Sequence, residues 1–311
     1  MYVRASLAVA ALLIVFSICP LVGQEEDGEP PWVTYRRGLN ALEDRDFGEA
    51  LQQFRSALSK QRPFPEAEVG IGRVFQAEGN VQLARRQYER ALSEAESFYV
   101  SQDEFAVRYR LAELYRNRQE WKEYQEMLSS VTDRDPQFAS DNDPAYRRLI
   151  PDTLTRDRLE DRPPEPRLDI LLTLYRLEVN FATEAHRELG EQLLSNGRYD
   201  SAVEHLSFAV VARLSLLVDE LRRETYGFEF ESTPALISAA LDVERLAAYL
   251  GETDLFRSMF YLAGALWGQN TVSDVPAEIW RVVGRFPAAA GPWAMRAERA
   301  LEAPETGTIV D

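Results

Sequence analysis

Cysteine, histidine and lysine are all nearly missing from this chain of 311 residues. The one cysteine, Cys19, excludes an intramolecular disulfide framework. It also excludes zinc sites built from four cysteines, or from two cysteines and two histidines. The two histidines, His186 and His205, are 19 apart and lack HExxH spacing. They read as ordinary surface or half-buried histidines on different helices, and no metal site is expected. Positive charge is short as well: 35 Lys+Arg stand against 51 Asp+Glu, a net −16. Only Lys60 and Lys122 are lysines. That balance excludes nucleic-acid binding, which needs clustered Lys and Arg on phosphates, and docking on anionic lipid through a basic patch. Catalytic signatures are missing too. The chain has no Walker A lysine, no GxSxG and, beyond Cys19, no Cys–His pair. Asp and Glu alternate with arginine as on solvated helix surfaces, so the reading is non-catalytic and without a cofactor. What remains is 45% apolar, normal for a folded protein.

Residues 1–23 read as an export signal or membrane anchor. Arg4 supplies the positive start, Ala5 to Val22 is uncharged and mostly apolar, and Gly23 offers a cleavage point before Gln24. Cys19 inside this run raises a lipidation site, although Phe16-Ser17-Ile18 fits a lipobox poorly. The expectation is an exported protein of the periplasm or cell envelope, touching membrane only through this segment if it is retained or acylated. Residues 24–31 are acidic and Pro-containing, and read as a tether.

The chain then repeats itself. Gly38 and Gly72, Ala50 and Ala84, Phe54 and Tyr88, Ala57 and Ala91, and Leu58 and Leu92 are each 34 apart. Ala50, Phe54, Ala57 and Leu58 share one face of a helix. Glycine in mid-helix costs about 1 kcal/mol relative to alanine, which makes sense where a neighbouring helix comes close. Phe54 and Tyr88 are expected to fill the space between hairpins, with Arg45-Asp46 and Gly79-Asn80 as turns. Gly70-Ile71-Gly72 lies inside this helical register with no strand before it, so close packing explains it better than a phosphate loop. A third unit carries Leu111, Ala112, Tyr115, Trp121, Leu128 and Val131 in matching roles, with Tyr124 in place of the small residue. Its offset is 40 rather than 34, so six extra residues around Phe98 to Glu104 are expected as longer helix ends. A fourth carries Leu189-Gly190, Gly197, Tyr199, Ala202, Leu206 and Ala209 over Phe181 to Leu214. A degenerate unit follows over Ile237 to Gly268, with Gly251, Phe260 and Ala263 matching.

These residues resemble the tetratricopeptide repeat (TPR) family, whose unit is a 34-residue pair of antiparallel helices. The resemblance implies an all-α fold: a superhelical array of antiparallel helix pairs, a TPR-type α-solenoid, with a concave and a convex side. Residues 32–139 form an N-terminal array of three repeats. Residues 140–166 read as a Pro-rich charged linker with one short helix around Ala145 to Leu149. Residues 167–303 form a second TPR-like block, opening with an apolar helix over Arg167 to Asn180. Phe208 to Leu221 prolongs a core helix. Trp280, Phe286 and Trp293 serve as capping core, and residues 304–311 form a disordered tail.

Such arrays bind peptides or helices on the concave side, so the resemblance implies a scaffold or adaptor for an exported or envelope protein. Mapping the inner face of each first helix gives Tyr35, Leu39 and Leu42; Val69, Arg73 and Gln76; Tyr109, Glu113, Arg116 and Asn117; and Arg187, Glu191 and Leu194. Tyrosine and arginine are enriched at binding hot spots. The set lacks the Lys/Asn combination with which some family members clamp a C-terminal carboxylate. Two alternatives stay open: a transporter-associated accessory protein binding a small ligand, and an enzyme on a helical array. Oligomeric state is not legible.

Overall fold

Apolar residues three and four apart, closed by short polar turns, dictate a chain of amphipathic helices. The computed structural model describes residues 29–138, 150, 153, 168–173, 177–269, 274–304 and 309. Within them the chain is all-α, and no strand occurs among the described residues. The expected leader at 1–23 with Cys19, the expected tether as far as residue 28, and the expected helix at Ala145 to Leu149 lie outside the described residues. So does most of the Pro-rich 140–166 segment, of which Ile150 and Thr153 are described and buried.

The first six helices form three hairpins: α1 (Pro31–Glu43) with α2 (Phe47–Lys60), α3 (Pro65–Ala77) with α4 (Val81–Ser93), and α5 (Asp103–Asn117) with α6 (Trp121–Thr132). Each hairpin packs on the next, α2 on α3 and α4 on α5. Beyond a short α7 (Leu168–Thr173), a fourth hairpin joins α8 (Thr183–Ser195) to the 26-residue α9 (Tyr199–Glu224). Then come α10 (Thr233–Leu241), α11 (Glu244–Glu252), α12 (Leu255–Gly268), α13 (Val275–Gly284), α14 (Pro287–Ala290) and α15 (Pro292–Glu302).

All four hairpin turns share one device. Arg45, Gly79, Gln119 and Gly197 have left-handed φ values of 60°, 79°, 61° and 70°. In each, the next residue sends its N–H back five residues: Asp46 to Ala41, Asn80 to Phe75, Glu120 to Tyr115 and Arg198 to Leu193, at 2.8–2.9 Å. This is the Schellman closure, which satisfies carbonyls at the end of one helix while starting the next. The expected turns at Arg45-Asp46 and Gly79-Asn80 are therefore present. Asp46 also caps α2 by accepting from the Glu49 N–H at 3.1 Å.

Small residues on the first helices receive large ones from the second. A Cβ built on Gly38 would fall 2.6 Å from Phe54 Cε1, and one on Gly70 equally 2.6 Å from it. Phe54 is thus pressed between its own hairpin and the next. Gly72 stands against Tyr88, and Gly190 against Leu206. The Gly70-Ile71-Gly72 run serves two neighbours, one glycine for each.

Several expectations give way. The extra residues of the third unit form a 3-10 turn (Ala95–Ser97) and a loop over 98–102 rather than mainly longer helix ends. Trp121, the first residue of α6, is 50% exposed and rests edge-on against Tyr124 rather than in the core. The helix expected over Arg167 to Asn180 is described only as Leu168–Thr173, and 177–180 are non-helical. Gly251 is exposed with open space around it, so it marks no close approach. α12, which carries the buried Phe260 and Ala263, packs on α9 and α13. In the expected disordered tail, Ile309 is buried against Gly264.

The apparent break after the third unit does not interrupt packing. α6 packs on α8, and one apolar core runs from Ala84 to Ile309. Phe105 stacks on Phe181 with ring centroids 3.7 Å apart. Gln137 and Glu178 exchange two hydrogen bonds of 3.0 and 2.6 Å, and the Asn180 amide donates to Asp135 at 2.9 Å. These contacts hold together the two ends of the segment between them. α9, apolar and long enough to cross a membrane by composition, is 83% buried over its apolar window, as a core helix is.

Arg45 and Gln119 occupy a backbone region that costs an L-residue about 1–2 kcal/mol. Replacing either with glycine is expected to raise unfolding stability by about 1 kcal/mol, visible as a higher Tm in thermal melts. A lower Tm for both variants would contradict the turn assignment.

Candidate functional site

The thirteen first-helix positions divide into two groups. In the first three hairpins, Leu42 and Tyr109 apart, the face reaches solvent. Tyr35 is half-buried, with its ring 5.7 Å from Phe54 and 5.4 Å from Phe64. Leu39 is half-buried beside the same core. Arg73 and Gln76 are half-buried, and Gln76 Oε1 accepts from the Tyr88 hydroxyl at 2.6 Å. Glu113, Arg116 and Asn117 are exposed. Of the flanking positions, Val69 is half-buried, whereas Leu42 and Leu194 are buried in the core.

The second group is consumed inside the molecule. Tyr109 donates its hydroxyl to the Phe181 carbonyl at 2.7 Å and accepts from the Ala185 N–H at 2.8 Å, tying α5 to the start of α8. Arg187 is only 4% exposed. It meets Glu191 at 2.7 Å, Glu188 and Asp254 at 3.2 Å, and Glu184. Glu191 in turn pairs with Arg257 at 2.7 Å. Arg213, equally buried, reaches the second Glu184 oxygen at 2.9 Å. The Tyr124 hydroxyl donates to Glu188 at 2.5 Å. Burial alone would lower the Arg187 pKa, but the carboxylates, Glu184 first, outweigh it and hold the guanidinium charged. Burial also raises Glu191 above the usual range despite its two arginines. Tyr109, Arg187 and Glu191, read in the sequence as partner contacts, are therefore a joint between hairpins. A charge this deep is costly unless every donor finds an acceptor, and here the acceptors are three glutamates of α8 and Asp254 just before α12.

The sequence signalled neither this network nor Arg257 and Arg296. Arg257 and Arg296 lie over the half-buried Trp293 ring, at 5.5 and 5.0 Å. Trp280 and Phe286 are buried, with the Trp280 indole donating to the Phe260 carbonyl at 3.2 Å.

The histidines are a second correction. They are buried, at 1% and 9% exposure, and their Nδ1 atoms face one another at 2.8 Å. Nineteen residues is the spacing that puts them opposite each other across the α8–α9 hairpin. Phe138 stacks on His205 with centroids 4.8 Å apart and meets His186 edge-on at 4.6 Å. His186 Nε2 lies 3.3 Å from Asp135 Oδ2. Among the described residues, no group of three or more His, Cys, Asp or Glu could hold a metal ion. Burial pushes Asp135 up, but His186, the Gln137 N–H and the Asn180 amide together hold its carboxyl below the usual value.

No protein-family model matches the sequence, and no curated protein matches it.

A depressed carboxyl stabilises the fold above its unfolded pKa, and that contribution is lost as pH falls through the folded value. Asp135→Asn is expected to lower stability at pH 7 and to flatten the acid side of the stability profile below about pH 4. Equal losses for parent and variant between pH 5 and 2, measured by urea unfolding, would contradict the role given to Asp135.

Proposed function

We infer that this chain is a TPR-type α-solenoid that acts as a non-catalytic scaffold or adaptor of the cell envelope, binding a protein or peptide partner along its concave face. The observation that carries this reading is the uneven use of the first-helix face. In the fourth hairpin its polar side chains are spent on internal ion pairs. In the first three hairpins Tyr35, Leu39, Arg73 and Gln76 stay partly exposed, and Glu113, Arg116 and Asn117 stay exposed. A rigid stack presenting half-buried Tyr and Arg offers contact area at low conformational cost, which is what hot spots require. The four repeated turns and the glycine joints support the solenoid reading, since stacked hairpins bury a continuous core while keeping one helix of each pair towards the inner side. The leader at 1–23 supports export, with the mature chain starting at Gln24.

Site-specific photo-crosslinking tests this. A benzophenone amino acid at Leu39 or Glu113 is expected to capture one or a few exported proteins. The same group at the exposed second-helix positions Arg55 or Arg86 is expected to capture none of them. Mass spectrometry of the captured chain is expected to show an N-terminus at Gln24. Equal capture from both faces, or capture of cytosolic proteins alone, would overturn the reading.

A further inference from the structure

The chain has two histidines, and the hairpin of α8 and α9 brings them together in the interior. Two ring nitrogens 2.8 Å apart are in hydrogen-bond contact, and such a contact holds one proton: one Nδ1 donates and the other accepts. Phe138 covers both rings, 4.6 Å from His186 and 4.8 Å from His205, and Phe208 stacks on His186 at 5.3 Å. Phe138 and Asp135 belong to the segment that leaves α6, so the third hairpin's exit is seated on this pair. From that segment Asp135 faces the pair, its Oδ2 3.3 Å from His186 Nε2. On α8 and α9 no charged residue stands one turn from either histidine. Of their charged chain neighbours, Arg187 turns to Glu184 and Glu191, and Glu204 is half-buried.

The number of protons on the pair decides whether it stays closed. Two neutral imidazoles carry two N–H groups. An ionised Asp135 only accepts, which places the His186 N–H on Nε2. His186 Nδ1 is then bare and accepts from the N–H of His205 Nδ1. One added proton leaves that bond intact, and Asp135 balances its charge. A second does not: both Nδ1 atoms would carry hydrogen at 2.8 Å, and two positive charges would share one buried carboxylate among phenyl rings. Once the rings part, each takes its own proton near pH 6.5, the ordinary histidine value. The closed joint therefore binds fewer protons than the open one in mild acid, and a state that binds fewer protons loses stability as pH falls.

We propose that His186 and His205 form an acid-sensitive latch: a single proton between their Nδ1 atoms seats the Asp135–Phe138 segment at neutral pH, and a second positive charge on the pair unseats it in mild acid. The Asn180 amide on Asp135 and the two hydrogen bonds between Gln137 and Glu178 share this seat, so its release loosens the third hairpin from the fourth. The glycine joints at Phe54 and Tyr88 contain no imidazole and stay closed. The latch does not depend on the partner-binding reading, because none of its residues lies on the open first-helix face.

The test uses the full chain with 15N in its histidines, which gives two imidazoles to follow by NMR and no others. Between pH 8 and pH 4.5 they are expected to titrate in two steps at least about one pH unit apart, as sites sharing a proton do. Hydrogen exchange, corrected for the intrinsic pH dependence, is expected to quicken across 133–138 and 180–186 by up to about tenfold per pH unit between pH 6 and pH 5. Residues 54–58 and 84–91 are expected to show no such change. His205→Gln keeps a side-chain N–H beside His186 but takes no proton there, and is expected to abolish the acceleration. The titration of the unaltered chain decides the matter even if that variant folds poorly. The proposal is overturned if both histidines titrate together near pH 6.5 with exchange across 133–138 unchanged, or if His205→Gln keeps the acceleration.

Discussion

The approach of a bare backbone to a large side chain sets the geometry of this molecule. Phe54 lies against Gly38 of its own hairpin and Gly70 of the next, at distances that no Cβ would tolerate. Tyr88 repeats the contact on Gly72, and Leu206 on Gly190. In each case the large residue follows the small one of its own hairpin by sixteen positions, one helix and one turn later. The third hairpin keeps the register with a different pair of sizes: Ala112 and Leu128 are again sixteen apart, and both are buried. A mid-helix glycine is unfavourable on its own by about 1 kcal/mol, so its presence at three such sites is intelligible only through the packing it permits. Once this contact fixes the spacing within hairpins, the left-handed turns fix the connection between helices. The first-helix face then follows as a surface the core does not need.

Electrostatics divides that surface. Around α8 four carboxylates, Glu184, Glu188, Glu191 and Asp254, meet the guanidiniums of Arg187, Arg213, Arg257 and Arg116 in one network. It joins α8 to α12 by charge, while Tyr109 and Tyr124 join α5 and α6 to α8 by hydroxyls. Such a joint adds little net stability over apolar packing, but it penalises any misplaced register, because a displaced helix would strand several buried charges. The fourth-hairpin end of the face is thus internally neutralised.

Much of the fold was legible in the sequence, for physical reasons. Glycine at 38 and 72, aromatic residues at 54 and 88, and polar turn residues at 45–46 and 79–80 each have one structural use, and their spacing of 34 repeats it. What could not be read was long-range. Nothing in Pro144 to Pro166 says that the chain returns to dock α8 on α6, because that depends on Gln137 meeting Glu178 and Phe105 meeting Phe181. Arg187 looked like a surface arginine because its carboxylates come partly from Asp254, far along the chain. His186 and His205 looked ordinary because their meeting depends on the hairpin rather than on any motif. That Tyr109, Arg187 and Glu191 are tied up inside the molecule was not legible, because their partners lie on other helices.

The account is tested most directly by a double-mutant cycle at the small-against-large joint. Gly72→Ala and Tyr88→Leu together recreate the Ala112/Leu128 pairing that the third hairpin already uses. Alone, Gly72→Ala drives a methyl into the Tyr88 ring and should cost about 1–3 kcal/mol, as overpacking does. Alone, Tyr88→Leu leaves a void where the ring stood. If the contact sets the hairpin spacing, urea unfolding will show the double variant more stable than the sum of the two losses by about 1 kcal/mol or more. Additive losses within about 0.3 kcal/mol would mean that glycine and ring act independently, and the packing account would be wrong.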